Sequence, residues 1–433
     1  MLKAIGSGEE PELGETLAAP VNGIGARRWY AVAVLFLINC FAFTDRIGLS
    51  VLLELIKHDL HLTDAQLGLV AGLAFALFNV ILVLPLAWVA DRYSRVKLIS
   101  VSLLLWTAMT AISGFARNFS ELFITRAGVG IGEAGSHPSS LSLIGDYFPR
   151  ESRALGVGLF NAGAVAGVAG GMSLIGILGE KYGWRVSLQM IGAMGVPLAI
   201  LAYFTLPEPA RPALHREQRE SLWSTVRILL QRPTFRNLAL GIGVSFIGSS
   251  GFSVWAPTFL IRSFHMSVGA AGAWIGGITA GSGIIGAIVG GLLMLRLMPR
   301  DPRWELWLPA AAVAICVPTF VVMILTDQVW LVLAMKGVNT FFGACAASAS
   351  SAALQSFAEP RRRAPAVAIT LVLTSRLGSG VGPYLIGLAS TALEPMLGQE
   401  SLRYALLMAP LVLVWAVIHY LLAAKSALKD RLN

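Results

Sequence analysis

The sequence predicts an all-α membrane protein with twelve transmembrane helices in two six-helix halves related by an internal repeat. Three observations predict it. Of the 433 residues, 56% are hydrophobic and only 13% charged, and the mean hydropathy is +0.71, more apolar than the average soluble domain. Apolar stretches of roughly 20 residues, each able to cross about 30 Å of hydrocarbon, recur along nearly the whole chain. One long stretch of the first half also reappears in the second at a fixed offset.

The elements follow in order. Residues 1–28 carry Glu9, Glu10, Glu12 and Glu15 and no apolar centre, so they read as a cytoplasmic tail rather than a cleavable signal, and the first span acts as an uncleaved anchor. The first bundle covers 29–206, with spans 29–50, 65–90, 96–115, 120–146, 154–179 and 185–206. Its first span holds Asp45 and Arg46, its fourth Arg126 and Glu133, and its fifth a glycine run that permits close helix packing. A Pro-rich, charged segment, 207–235, is the cytoplasmic linker. The second bundle, 236–424, has spans 236–261, 268–295, 304–325, 328–357, 364–392 and 401–424, and 425–433 is a cytoplasmic tail. Its eighth span is again glycine-rich, its tenth holds Lys336 and its eleventh Arg376.

Orientation comes from the basic residues. Of 33 Lys and Arg, only Lys57, Arg117, Lys181, Arg185, Arg262 and Arg403 fall in loops on one side, Arg46, Arg126, Lys336 and Arg376 fall inside spans, and the other 23 lie on the opposite side. That bias places both termini in the cytoplasm of a plasma or inner membrane. The formal charge of +9 is thereby topological, and no nucleic-acid partner is expected. Cys40, Cys316 and Cys345 all lie in apolar spans and behave as small buried hydrophobes.

The stretch RAGVGIGEAGSHPSSLSLIGDYFPRESRALGVG from Arg126 matches KGVNTFFGACAASASSAALQSFAEPRRRAPAVA from Lys336, pairing Arg126 with Lys336 and Arg153 with Arg363. A second match sets Gly68, Gly72 and Arg92 against Gly272, Gly276 and Arg296. Duplicated six-helix halves with sites at their interface describe a secondary transporter. Gly130, Gly132 and Gly135 have the spacing of a dinucleotide fingerprint, but no strand precedes them, so they serve helix packing and no cofactor is expected. There is no Walker loop, metal cluster or positioned nucleophile, so the chain does not read as an enzyme.

The loop AWVADRYSRVK (87–97) resembles the Gly-x-x-x-Asp-Arg-x-Gly-Arg-Arg loop of the major facilitator superfamily, with Ala87 and Ser94 where glycines are usual. Its repeat, GLLMLRLMPR (291–300), keeps Arg296 but has Leu295 in place of the acid. TDRIGLS, DRYSR and RAGVGIGEAG…DYFPRESRALG together resemble the Spinster-type branch, although sugar-acid and organic-anion porters share the Arg…Gly-x-x-Glu pattern. The fifth-span glycine run resembles an exchanger motif but has Val168 where proline is usual, so antiport does not follow. The resemblance implies the major facilitator fold and substrates such as lysophospholipid or sphingoid phosphate.

Charges inside a membrane are costly and normally face a partner or a water-filled path, which makes them the candidate site. Asp45, Arg126 and Glu133 are the expected proton-coupling residues, and Arg46, Arg126, Glu133, His137, Lys336 and Arg376 the expected substrate-binding ones. Counted from the outer span ends, Asp45 lies roughly 7 Å deep and Arg126 roughly 9 Å, with Glu133 about 10 Å further in on the same face as Arg126. Glu133 has most to gain from a proton, since burial disfavours its charge while an arginine favours it. A static ion network that only fixes helix packing is the competing reading. Asp91, Arg92, Arg95, Asp146, Arg150 and Arg153, at the cytoplasmic boundary, are expected to latch the two halves. The six buried charges sum to +2, which suits an anionic or zwitterionic headgroup.

The expected function is therefore proton-coupled or proton-sensitive secondary transport of an amphipathic anion or zwitterion by a monomer, with protons and membrane lipids as its other partners and no cofactor or metal. An organic-anion or sugar-acid symporter, a multidrug exporter, and, more remotely, a non-transporting receptor or scaffold are the alternatives.

Overall fold

The structure, a computed structural model, describes residues 24–149, 151–209, 222–357, 366 and 378–432. The described chain is helical, without strands. In the first half, α1 (Ile24–Leu60) is followed by α2 (Asp64–Gly68), a π turn (Leu69–Leu73), α3 (Ala74–Arg92), α4 (Arg95–Ser113), α5 (Phe119–Glu133), α6 (Ser136–Tyr147) and α7 (Arg153–Thr205). Then come α8 (Leu222–Gln231), α9 (Pro233–Phe264), α10 (Val268–Leu297), α11 (Trp304–Leu325), α12 (Val329–Ser356), α13 (Ser379–Leu397), α14 (Ser401–Ala405) and α15 (Met408–Leu432).

Among the described residues nine stretches are long and apolar enough to cross a membrane, and two of them, Arg153–Thr205 and Ser379–Ala427, each join two expected spans. The first turns back at Gly183, whose φ of +78° is accessible to glycine at little cost. The fourth expected span is not one helix. It breaks at Ala134 and Gly135 because Pro138 has no N–H to give the carbonyl of Ala134 and its ring crowds that oxygen. Glu133, the last residue of α5, thus stands at a break in the helix.

The first helix is longer than its apolar core. Capped by charge at neither boundary expected from hydropathy, α1 continues through LLELIKHDL because Leu52, Leu53 and Ile56 keep the buried face going, each 0% exposed. Asp45 therefore lies about 22 Å from the Leu60 end, three times the depth expected from the span boundary.

The two halves meet unequally. At the Leu60 end a shared core joins Val51, Leu52, Met172 and Ile175 of the first half to Trp255, Phe259, Val268 and Ala271 of the second. Backbones touch here too: a Cβ on Gly72 would stand 2.5 Å from the Gly380 carbonyl oxygen. Toward the Arg95 end the first half keeps its own core around Leu35, Trp106, Phe148 and Phe160, which includes no second-half residue. Among the described residues the halves are joined at the Leu60 end and parted toward the Arg95 end.

Candidate functional site

Two arginine–carboxylate pairs lie side by side between α1 and α5. Arg126 Nη1 is 3.3 Å from Asp45 Oδ1, and Thr110 of α4 donates its hydroxyl to Asp45 Oδ2 at 2.6 Å. Arg46 pairs with Glu133, and its guanidinium lies 4.6 Å from the Phe75 ring centroid and 5.1 Å from that of Phe43. The spacing explains the arrangement. Seven residues bring Arg126 and Glu133 onto one face of α5, while neighbours on α1 point about 100° apart, so Asp45 and Arg46 reach different partners. Asp45 and Arg126 are each 2% exposed and Glu133 is 6% exposed. Of the two acids that sequence spacing puts within reach of Arg126, Asp45 is the one it meets. Thr110 carried no signal in the sequence, since a threonine in an apolar span is ordinary. His137, on α6 beyond the break, packs its ring edge-on against Phe160 at 5.4 Å.

A cavity of about 790 Å³ opens between the halves, with Val157 and Asn161 of α7 on one wall and residues of α9, α10, α11, α12 and α15 on the others. Lys336 lines it, whereas Asp45, Arg46, Arg126, Glu133 and His137 do not. The candidate residues thus fall into two places, an ion-pair cluster within the first half and a cavity walled mainly by the second. Arg376 and Arg150 lie outside the described residues, as does the side chain of Asp91.

At the Arg95 end the boundary residues pair inside the first half. Arg95 Nη1 donates to Asp146 Oδ2 at 2.5 Å and to Ser142 Oγ at 2.9 Å, and its Nε meets Glu208 Oε1 at 3.2 Å. Arg153 donates to the Gly145 carbonyl at 2.6 Å, and Arg92 stacks on Trp88 at 3.5 Å. All of these contacts stay within the first half and the start of the linker, where Glu208 lies. Burial pushes the Glu208 carboxyl up, but the bonds it accepts from the Val96 N–H, the Ser94 hydroxyl and Arg95 outweigh that and hold it below the ordinary range.

Among the described residues, the ionic contacts that cross the halves are at the Leu60 end. Arg262 of α9 donates Nε to Glu54 Oε2 at 2.7 Å and both terminal nitrogens to Asp64 at 2.8 Å. Asp64 also accepts from Lys57 at 2.9 Å and from the Ser390 hydroxyl of α13 at 2.6 Å. Glu180 of α7 accepts from the Gly269 N–H of α10 at 2.7 Å. The sequence hid this latch, because charges at span ends look like loop residues.

This duplicated bundle, parted at one end and latched at the other, has known counterparts. The family model for the Major Facilitator Superfamily matches residues 35–383. The chain belongs to the major facilitator superfamily. An MFS-type efflux pump of Mycolicibacterium smegmatis is 33% identical, over 92% of this chain and 93% of that pump. Protein spinster homolog 1 of Xenopus tropicalis is 26% identical over 92% of this chain and 81% of that protein. The crystal structure of a bacterial homologue of the human lysosomal transporter Spinster, inward-facing and unoccupied, superposes with a TM-score of 0.85 at 28% identity, covering 94% of this chain and 98% of the other. The resemblance to the Spinster-type branch read from TDRIGLS and the DRYSR loop is thereby met over nearly the whole chain. As a facilitator-superfamily transporter the protein moves a small-molecule substrate across a membrane and is not an enzyme.

Proposed function

We propose that this transporter is proton-coupled and carries an amphipathic anion or zwitterion, such as a lysolipid or sphingoid phosphate, across the cell membrane by alternating access. The observation that carries the reading is the double pair Asp45–Arg126 and Arg46–Glu133, buried between α1 and α5 beside a helix break. Neutralising Glu133 with a proton releases Arg46, and neutralising Asp45 releases Arg126. Removing one member of a buried pair costs about 3–5 kcal/mol, enough to change which arrangement of the helices is preferred. With both termini cytoplasmic, as the basic bias supports, the sealed Leu60 end is outer and the state described is inward-open. Asp91, Arg92, Arg95, Asp146, Arg150 and Arg153 then form the gate that closes on the cytoplasmic side, and Lys336 and Arg376 belong to the substrate path. His137, one turn from Glu133 in sequence, extends the proton path. The protein works as a monomer.

Similarity to an efflux pump favours export as the direction, and a multidrug exporter is the second reading. Proteoliposomes with an imposed pH gradient test both. Labelled lysophospholipid, labelled galactarate and a lipophilic cation are offered in turn, and gradient-driven flux of the lysophospholipid is the expected result. Flux of galactarate alone would make the chain a sugar-acid porter, and flux of the cation alone would make it a drug exporter.

A further inference from the structure

Among the described residues Lys336 is a buried cation without a counter-ion. It is 4% exposed, and its Nζ lies 5.7 Å from the Phe252 ring centroid, a contact that an ammonium makes with an aromatic face. No described carboxylate reaches it. The sequence says why: the second half has no acid between Glu220 and Asp301, between Glu305 and Asp327, or between Asp327 and Glu359. Asp327 precedes Lys336 by about 13 Å along the chain axis and is held by Arg403 at 2.6 Å. The first half's two mid-membrane carboxylates are taken by Arg126 and Arg46. No described carboxylate is left over to balance Lys336.

A second group points the same way. Thr340, one turn on and on the same face of α12, also lines the cavity, and its Oγ1 is buried with no hydrogen-bond partner among the described residues. An ammonium and a hydroxyl one turn apart can hold one oxyanion, since a carboxylate or phosphate oxygen accepts from both. From Lys336 the cavity follows α12 as far as Gln355, a run of about 28 Å toward the parted end. Lys336 marks its deep end. The described walls between are neutral, mixing Phe246, Val313, Phe320 and Leu354 with serines.

We propose that Lys336 and Thr340 form an oxyanion subsite at the closed end of this slot, so that an elongated amphiphile with a single anionic group enters headgroup first and leaves its tail toward Gln355. The subsite is separate from the Asp45–Glu133 cluster. Protons are handled by the first half and the substrate's charge by the second. The inference rests on the transport reading but is tested by binding, which needs no gradient.

The test uses the full chain in nanodiscs and titrates three radiolabelled probes: palmitoyl lysophosphatidate, palmitate and neutral monopalmitoylglycerol. Lys336→Met should weaken both anions by about ten- to a hundredfold, the range for a lost charged hydrogen bond, and leave the neutral probe within about twofold. Lys336→Arg should restore most of the anion binding. If only lysophosphatidate is affected the subsite takes phosphate, and if both anions are affected it takes any oxyanion. Unchanged anion affinity in Lys336→Met, an equal loss for the neutral probe, or no anion binding by wild type overturns the proposal. A diazirine at the tail terminus should label residues near Gln355, and labelling next to Phe252 instead would reverse the orientation and overturn it. Flux by the unaltered chain in proteoliposomes is the separate arm: probe binding that follows the pattern above without any pH-driven flux speaks against the transport reading alone.

Discussion

Replacing Arg262 with methionine should open the sealed end of the transporter. Arg262 makes three charge-assisted bonds, one to Glu54 at 2.7 Å and two to Asp64 at 2.8 Å, and its side chain is only 8% exposed. Glu54 and Asp64 are 11% and 0% exposed, so neither has water to fall back on while the end stays closed. Breaking a buried pair costs about 3–5 kcal/mol. Lys57 and Ser390 still hold Asp64, which puts the loss at the lower end, about 3 kcal/mol. Because Glu54 and Asp64 belong to one half and Arg262 to the other, the loss falls on the closed arrangement alone; once the halves part here, water solvates both acids. The ratio of closed to open states should fall by roughly 150-fold. Spin labels at Phe115 and Met396, 67% and 82% exposed on opposite halves, report it by electron–electron resonance distances, with the native cysteines replaced by alanine. A longer distance should dominate in the variant. A distance distribution identical to that of the unaltered protein would show that the latch carries no net energy and refute the reasoning.

Three more outcomes follow from the same geometry. Glu133→Gln and Asp45→Asn should each keep expression and fold, since a neutral amide is cheaper to bury than a carboxylate, and should flatten the pH dependence of proteoliposome flux; wild-type pH profiles in both would make the cluster purely structural. Gly72→Leu should lower the transport rate by disfavouring the closed Leu60 end, because its side chain would strike the Gly380 carbonyl, and the same spin labels should report more of the open state. Glu208→Gln should remove part of the acid sensitivity of thermal stability: a carboxyl held below its ordinary range stabilises the fold above that range and loses the contribution as pH falls through its folded value, an effect that solvent screening keeps small, so melting curves with the same acid slope as wild type would count against the Arg95–Glu208 brace.

How much of this was legible depended on where charge meets hydropathy. An arginine or glutamate inside twenty apolar residues stands out, so Asp45, Arg46, Arg126, Glu133 and Lys336 could be named from sequence, and helical spacing placed Arg126 and Glu133 on one face. That Asp45 and Arg126 lie at one level and can pair was legible from their depths, but that Arg46 takes Glu133 was not, and Glu54 and Lys57 made the last turns of α1 look like a loop. The latch was illegible for the same reason. Arg262, Glu54 and Asp64 each sit within a turn or so of a span end, where charge is cheap, and nothing local says that two such ends meet. The break after Glu133 was legible in principle, since Pro138 four residues after Ala134 forbids a continuous helix, but hydropathy alone runs straight through it. Arg95 was visible as part of a motif, whereas Glu208 belongs to no motif and is recognised only by its bonds.

On the proposed reading α1 is the element through which charge and motion are joined. Asp45 and Arg46 fasten it to α5, and Glu54, about 12 Å further along, fastens it to α9 in the other half. A helix is stiff over that distance, so a change in how α1 is held at one point moves the other. The same stiffness makes the dependence mutual: if losing the Arg46–Glu133 pair favours the open Leu60 end, then opening that end favours loss of the pair, and hence uptake of a proton, by an equal free energy. Among the described residues the second half offers no comparable arrangement. Its one mid-membrane lysine among the described residues has no carboxylate to pair with, and its helices carry no acid more than about a turn from an end. On the proposed reading protonation acts through Asp45 and Glu133 of the first half, and a bound anion's charge through Lys336 of the second. The two influences meet at the interface of the halves, where α1 lies against α9 at the closed end.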